Sequence, residues 1–126
     1  MKKAVSTDRA PKAIGPYSQG IVCSGSMIFC SGQIPLNPDT QELVAGDIQQ
    51  EAERALDNLG AVLAAAGATF ENVVRTTIFL TDLSHFASVN EVYGRRFTHA
   101  PPARVTVGVA SLPKGARVEI DAIAIL

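Results

Sequence analysis

Between Asp47 and Gly67 the apolar residues Ile48, Ala52, Ala55, Leu56, Leu59, Leu63 and Ala66 recur three and four apart. Only a helix with one buried face satisfies that spacing. Asp47 is placed to cap its start and Gly67 to stop it. A helix with a single apolar stripe needs a partner surface, and the neighbouring apolar runs are too short and too β-branched to be helices. The partner is therefore a sheet, and the chain reads as α+β.

The sheet is drawn from short runs. SQGIVC and MIFCSGQI read as a hairpin turning at Ser24 and Gly25, and VVRTTIFLTD, rich in β-branched residues, reads as a third strand. Asp82 or Ser84 can cap a second helix that carries Phe86, Val89, Tyr93 and Phe97 on one stripe. The plain reading of that stripe is core. RVTVGVA and RVEIDAIAIL, separated by the turn-like SLPKGA, complete the order β-β-α-β-α-β-β. This predicts a mixed β-sheet with two helices packed on one face. DRAPKAIGPY, residues 8 to 17, holds two prolines and a glycine and reads as an ordered loop.

With 126 residues and no shift of composition along the chain, one domain over 1–126 is expected. The hydrophobic fraction of 47% exceeds what a small monomer readily hides, which points to subunit interfaces. Eleven Lys and Arg against twelve Asp and Glu give a net charge of −1. Such a balance supplies no long-range field for a polyphosphate backbone, so no nucleic-acid partner is expected. No signal-peptide pattern follows the first lysines and nowhere do about 18 apolar residues run together, so a soluble, cytoplasmic protein without membrane partners is expected. Cys23 and Cys30 fit neither the register of a disulfide in the expected hairpin nor a metal-ligand spacing, and are read as reduced structural thiols; no metal is expected.

The charged residues that stand out are few. Arg104 follows Pro101-Pro102-Ala103 and heads a valine-rich strand, so its fork starts from a rigid backbone at the mouth of an apolar element. It is either a bidentate clamp for a carboxylate or a surface arginine in an ion pair. Glu119, between Val118 and Ile120, faces the same side as Arg117 and Asp121. It either handles a proton or a water or belongs to a solvated strand face. Arg95, Arg96 and His99 form a small basic cluster, most simply a helix end complementing the dipole. The chain carries no Ser-His-Asp ordering, phosphate loop or HExxH motif, so hydrolysis through a covalent nucleophile or a metal lacks its parts.

AIGPYSQG at 13–20, MIFCSGQIP at 27–35, NVVRTTIFLTDL at 72–83, VNEVY at 89–93 and PARVTVGVASLPKGARVEI at 102–120 closely resemble the RidA family, also called YjgF/YER057c/UK114, over almost the whole chain. The resemblance implies a chorismate-mutase-like fold assembled as a homotrimer, with clefts between neighbouring subunits. It further implies hydrolysis of reactive 2-imino acids, such as 2-iminobutanoate and 2-iminopropanoate, to 2-oxo acids and ammonia, with no cofactor. Carried over position by position, Arg104 holds the substrate carboxylate, Glu119 orients the water, and Tyr17, Ser31, Gly32, Asn90 and Thr106 line the pocket. Thr106 stands where several bacterial relatives have cysteine, a departure that bears on thiol-dependent behaviour and not on hydrolysis. A non-catalytic small-carboxylate-binding module and a chaperone-like or RNA-cleaving protein are the competing readings.

One geometric tension follows. If the last two strands pair as a hairpin around SLPKGA, Arg104 lies about four residues, or ~13 Å, from the position opposite Glu119. Either these strands are not sheet neighbours or the site draws on two subunits.

Overall fold

The computed structural model describes residues 1–126. The long helix forms where its stripe demands: α1, Ile48–Ala65, begins at a capping box in which Asp47 accepts from the Gln50 amide and the Gln50 side chain accepts from the Asp47 amide. It ends at Gly67, whose φ of 81° is a left-handed turn that a glycine enters without penalty. Ala52, Ala55, Leu56, Leu59 and Leu63 are completely buried on its inner face. The second helix, α2, spans Phe86–Gly94 and follows a 3-10 turn at Leu83–His85 whose first amides are capped by Asp82.

Six strands form two sheets. Strands β1 (Lys2–Val5) and β2 (Gly20–Cys23) make a small antiparallel pair. Strands β3 (Met27–Gln33), β4 (Val73–Leu80), β5 (Ala103–Gly108) and β6 (Val118–Ile125) form a mixed sheet in the order β3-β6-β4-β5. β4 and β5 are parallel, joined by α2, and the other pairs are antiparallel. Parallel neighbours need such a crossover. The core lies between this sheet and the helices: Val118, Ile120, Ala122 and Ala124 alternate inward along β6 against Leu56, Leu59 and Leu63 of α1. No helix is long and apolar enough to cross a membrane.

The α+β class, the mixed sheet and the two helices on one face are as the sequence leads one to expect; the pairing differs in three places. The N-terminal residues add a strand, so the order is β-β-β-α-β-α-β-β. β1 is mostly exposed and opens on two lysines, so it carries no apolar alternation to betray it. The expected hairpin of β2 with β3 does not form, because β2 pairs with β1 and β3 with β6. The chain changes sheets at Ser24–Ser26, where Ser24 donates to the Met1 carbonyl and Leu126 to the Ser26 carbonyl. The last two strands are not neighbours either, since β4 lies between them.

Side-chain pairing departs from expectation as well. Arg117 does not share the solvent face with Glu119 and Asp121; it pairs with Glu51, which is buried on α1, since a carboxylate withdrawn from water needs a cation. Arg96 does more than complement a helix end: it bridges Glu53 and Asp57 of α1 and lies over the Phe70 ring, tying the helices together. Cys23 and Cys30 are free thiols on strands of different sheets, and burial pushes the Cys30 thiol pKa up.

Gly25 (φ 135°) is the pivot of the change of sheet, and a Cβ there would strike the Leu126 carbonyl. Gly25→Ala therefore combines backbone strain with a steric conflict, and a loss of about 1–3 kcal/mol is expected in urea unfolding. A midpoint equal to wild type would contradict this role.

Candidate functional site

Arg104 sits on the edge strand β5, opposite Thr76 of β4, on the side of the sheet that carries the helices. Its guanidinium is half-buried and lies 5.2 Å from the ring centre of Tyr17, 5.4 Å from Phe86 and 5.0 Å from Tyr93. Nη1 donates to Asn90 Oδ1 at 2.6 Å. No carboxylate of the chain pairs with it. Of the two readings of Arg104 the ion pair is thus absent. What remains is a cation held by aromatic faces and one amide oxygen, with the rest of its N–H fork free.

Three segments build this cradle. Pro101 and Pro102 set the entry to β5, and Ser18 locks the 15–18 loop against it by donating its amide to the Pro102 carbonyl and its hydroxyl to the Pro101 carbonyl. That docking brings Tyr17 beside Arg104, while the Tyr17 hydroxyl accepts from the Ile14 amide. From above, α2 contributes Phe86, Asn90 and Tyr93, whose spacings of four and three put them on one stripe. Tyr93 is wholly buried and its hydroxyl pairs with Thr76 Oγ1, also wholly buried, at 2.7 Å. The aromatic stripe is therefore core and site at once: Val89, Tyr93 and Phe97 pack inward, while the Phe86 and Tyr93 rings also face the guanidinium. Neither ring was assigned a site role from the sequence. The signal was Asn90 itself, a polar residue in register with both.

The electrostatics follow from burial. Desolvation lowers the Arg104 pKa, an effect opposed by the nearby tyrosines, yet an arginine remains charged throughout the physiological range. Desolvation raises the Tyr93 pKa to about 12, against the opposing pull of the Thr76 hydrogen bond and of Arg104. Tyr93 thus offers a neutral ring to the cation. Two residues further along β5, Thr106 Oγ1 is buried without a partner.

Glu119 is elsewhere. In β6 it stands opposite Phe79, and its neighbours Val118 and Ile120 point into the helix-side core, so its own side chain lies on the other face of the sheet. Counting from the registers, Arg104 and Glu119 are separated by two strands and three residues, about 10 Å each way. The sheet itself stands between them. Beside Glu119 runs Ser31–Gly32 of β3, at an irregularity between Cys30 and Gln33. Gly32 lets the Glu119 carboxylate lie close against β3: a Cβ there would overlap it and make the carboxylate turn away. The sequence-derived residues hence fall into two groups, Tyr17, Asn90, Arg104 and Thr106 on the helix side and Ser31, Gly32 and Glu119 on the open side. One chain does not bring them together.

Against known proteins, residues 7–126 match the family model described as endoribonuclease L-PSP. The chain is 64% identical to Protein DfrA of Myxococcus xanthus, over 98% of this chain and 95% of that protein. It is 49% identical to the mouse 2-iminobutanoate/2-iminopropanoate deaminase, over 99% and 92%. Among solved structures, E. coli TdcF with bound serine is similar at a TM-score of 0.76 and 46% identity, with 98% of each chain covered.

The Tyr93 shift makes a prediction. With a folded pKa of about 12 against a reference of 10.0, the folded protein keeps a proton that the unfolded chain loses as pH rises from 10 to 12. Stability falls across that window, by about 2–3 kcal/mol in full. The Tyr93→Phe variant should be less stable at pH 8, because Thr76 loses its partner, and the gap to wild type should narrow above pH 10. Urea titrations at both pH values check this; a gap constant from pH 8 to 12 would contradict it.

Proposed function

Because the chain belongs to the RidA (endoribonuclease L-PSP) family, we propose that it hydrolyses 2-imino acids to 2-oxo acids and ammonia, in clefts where Arg104 of one subunit meets Glu119 of the next in a homotrimer. The observation that carries this reading is Arg104: a half-buried cation with aromatic and amide neighbours but no acid. A small carboxylate supplies the missing anion, and the planar fork suits it in a way that a point charge does not.

The chemistry needs little else. A protonated imine beside a carboxylate is already electrophilic, so position and electrostatics suffice. With the carboxylate on Arg104, a water held by Glu119 attacks C2. The O–C2 bond forms as Glu119 accepts a proton from the water, and the π electrons of C=N move to nitrogen. Glu119 returns the proton to that nitrogen. The C2–N bond then breaks, ammonia leaves with its electron pair, and the hydroxyl gives its proton to the Glu119 carboxylate, and from there to water, as an oxygen lone pair forms the 2-oxo group. Asn90 holds the guanidinium, and Tyr17, Ser31, Gly32 and Thr106 line the cleft in this reading. A small-carboxylate-binding module would use Arg104 equally well, so turnover separates the two.

The test generates 2-iminobutanoate in a coupled assay and follows its loss. Wild type should accelerate hydrolysis; decay at the buffer rate would refute the deaminase reading. Arg104→Ala should lose turnover together with affinity for 2-oxobutanoate, since substrate and product present the same anion. Glu119→Gln should keep that affinity while turnover falls by about 10²-fold. Undiminished binding of 2-oxobutanoate by Arg104→Ala in calorimetry, or wild-type turnover by Glu119→Gln, would overturn these roles.

A further inference from the structure

A carboxylate clamp fixes one end of a 2-imino acid and leaves its side chain to find a place. Residues 104, 106 and 108 of β5 share the helix side of the sheet, and next to Arg104 on that side lies a shallow, open cavity of about 280 Å³ lined by Leu83, Phe86 and Thr106. Phe86 belongs to both places, with its ring 5.4 Å from the Arg104 guanidinium. The cavity has no charged residue in its lining.

Leu83 is large, apolar and 55% exposed, an arrangement that calls for an apolar neighbour. It rests on Gly108. A Cβ at Gly108 would come within 3.0 Å of Leu83 Cγ and 3.2 Å of Cδ1, so even a methyl group there would make Leu83 shift away from the strand. The backbone does not require glycine at this position, since its φ is not in the left-handed region. What Gly108 supplies is room for Leu83 to lie flat, and the width of the cavity depends on that.

Resting on the deaminase reading, we propose that the Leu83–Phe86–Thr106 cavity receives the side chain of the 2-imino acid, and that Leu83, seated over Gly108, sets the size it admits. Aliphatic and aromatic side chains fit such a lining. The imino acid derived from aspartate would bring a second carboxylate into a place without a cation and is rejected.

The experiment compares kcat/KM for imines of alanine, leucine, phenylalanine and aspartate in wild type, Leu83→Ala and Gly108→Ala. Wild type should favour the leucine imine over the aspartate imine by at least about tenfold. Leu83→Ala should raise the phenylalanine-to-alanine ratio about tenfold, and Gly108→Ala should lower it by a similar factor, as expected for a pocket altered by one or a few methylenes. Leu83→Val, which also removes bulk, serves if Leu83→Ala does not fold. The same comparison is made by calorimetry with pyruvate, 4-methyl-2-oxopentanoate and phenylpyruvate, which needs no turnover. If wild type hydrolyses no imine, the deaminase reading fails and the affinity ratios still decide the subsite. Ratios within twofold of wild type in folded variants, by either readout, would overturn the proposal.

Discussion

A guanidinium partly withdrawn from water is the constraint around which this molecule is arranged. Desolvating Arg104 is unfavourable, and each neighbour offsets part of that cost: three ring faces at 5.0–5.4 Å, each contributing about 0.5–2 kcal/mol depending on solvent access, and the Asn90 oxygen. None neutralises the charge. Every element nearby serves to keep these neighbours in place, from the proline-led entry to β5, through the docked 15–18 loop, to the buried Thr76–Tyr93 pair beneath α2. The result is a preorganised cation with no acidic side chain beside it, the place that the proposed reading gives to a small carboxylate.

The sheet divides the chemistry as much as it supports it. Its helix side holds the cation, its open side holds Glu119 beside Ser31–Gly32, and no side chain reaches through. The open side also carries apolar groups that water should not keep: Phe29 is 70% exposed, Met27 58% and Val105 40%. A second copy of the chain laid against that face would cover them, and in the proposed trimer it would also carry its own Glu119 group towards a neighbour's Arg104. The surplus of apolar residues and the split site then have one explanation.

What was legible in the sequence was whatever repeats locally. The stripe from Ile48 to Leu63 announced α1, its cap and its stop; short apolar runs announced β2, β3, β5 and β6, and a β-branched one announced β4. Pairing was not legible, because it is decided by long-range competition. β6 alternates Val118, Ile120, Ala122 and Ala124 inward and takes the central place between β3 and β4, which no local signal of the SLPKGA turn reveals. The tension over the separation of Arg104 from Glu119 was a true warning, since its premise of adjacent strands fails and the residues lie on opposite faces. Phe86 and Tyr93 read as core alone because a buried aromatic stripe looks the same whether or not a cation lies against it.

In the proposed trimer a working cleft takes Arg104 from one subunit and Glu119 from another, and subunit mixing tests that sharing most directly. Arg104→Ala and Glu119→Gln chains, each impaired alone, are co-refolded in equal amounts and assayed for loss of 2-iminobutanoate. Random assembly around a closed ring leaves both residues intact in about a quarter of the clefts, so about a quarter of wild-type turnover should return. Mixed assemblies, verified by native mass spectrometry, that remain as inactive as either variant alone would contradict a site shared between chains.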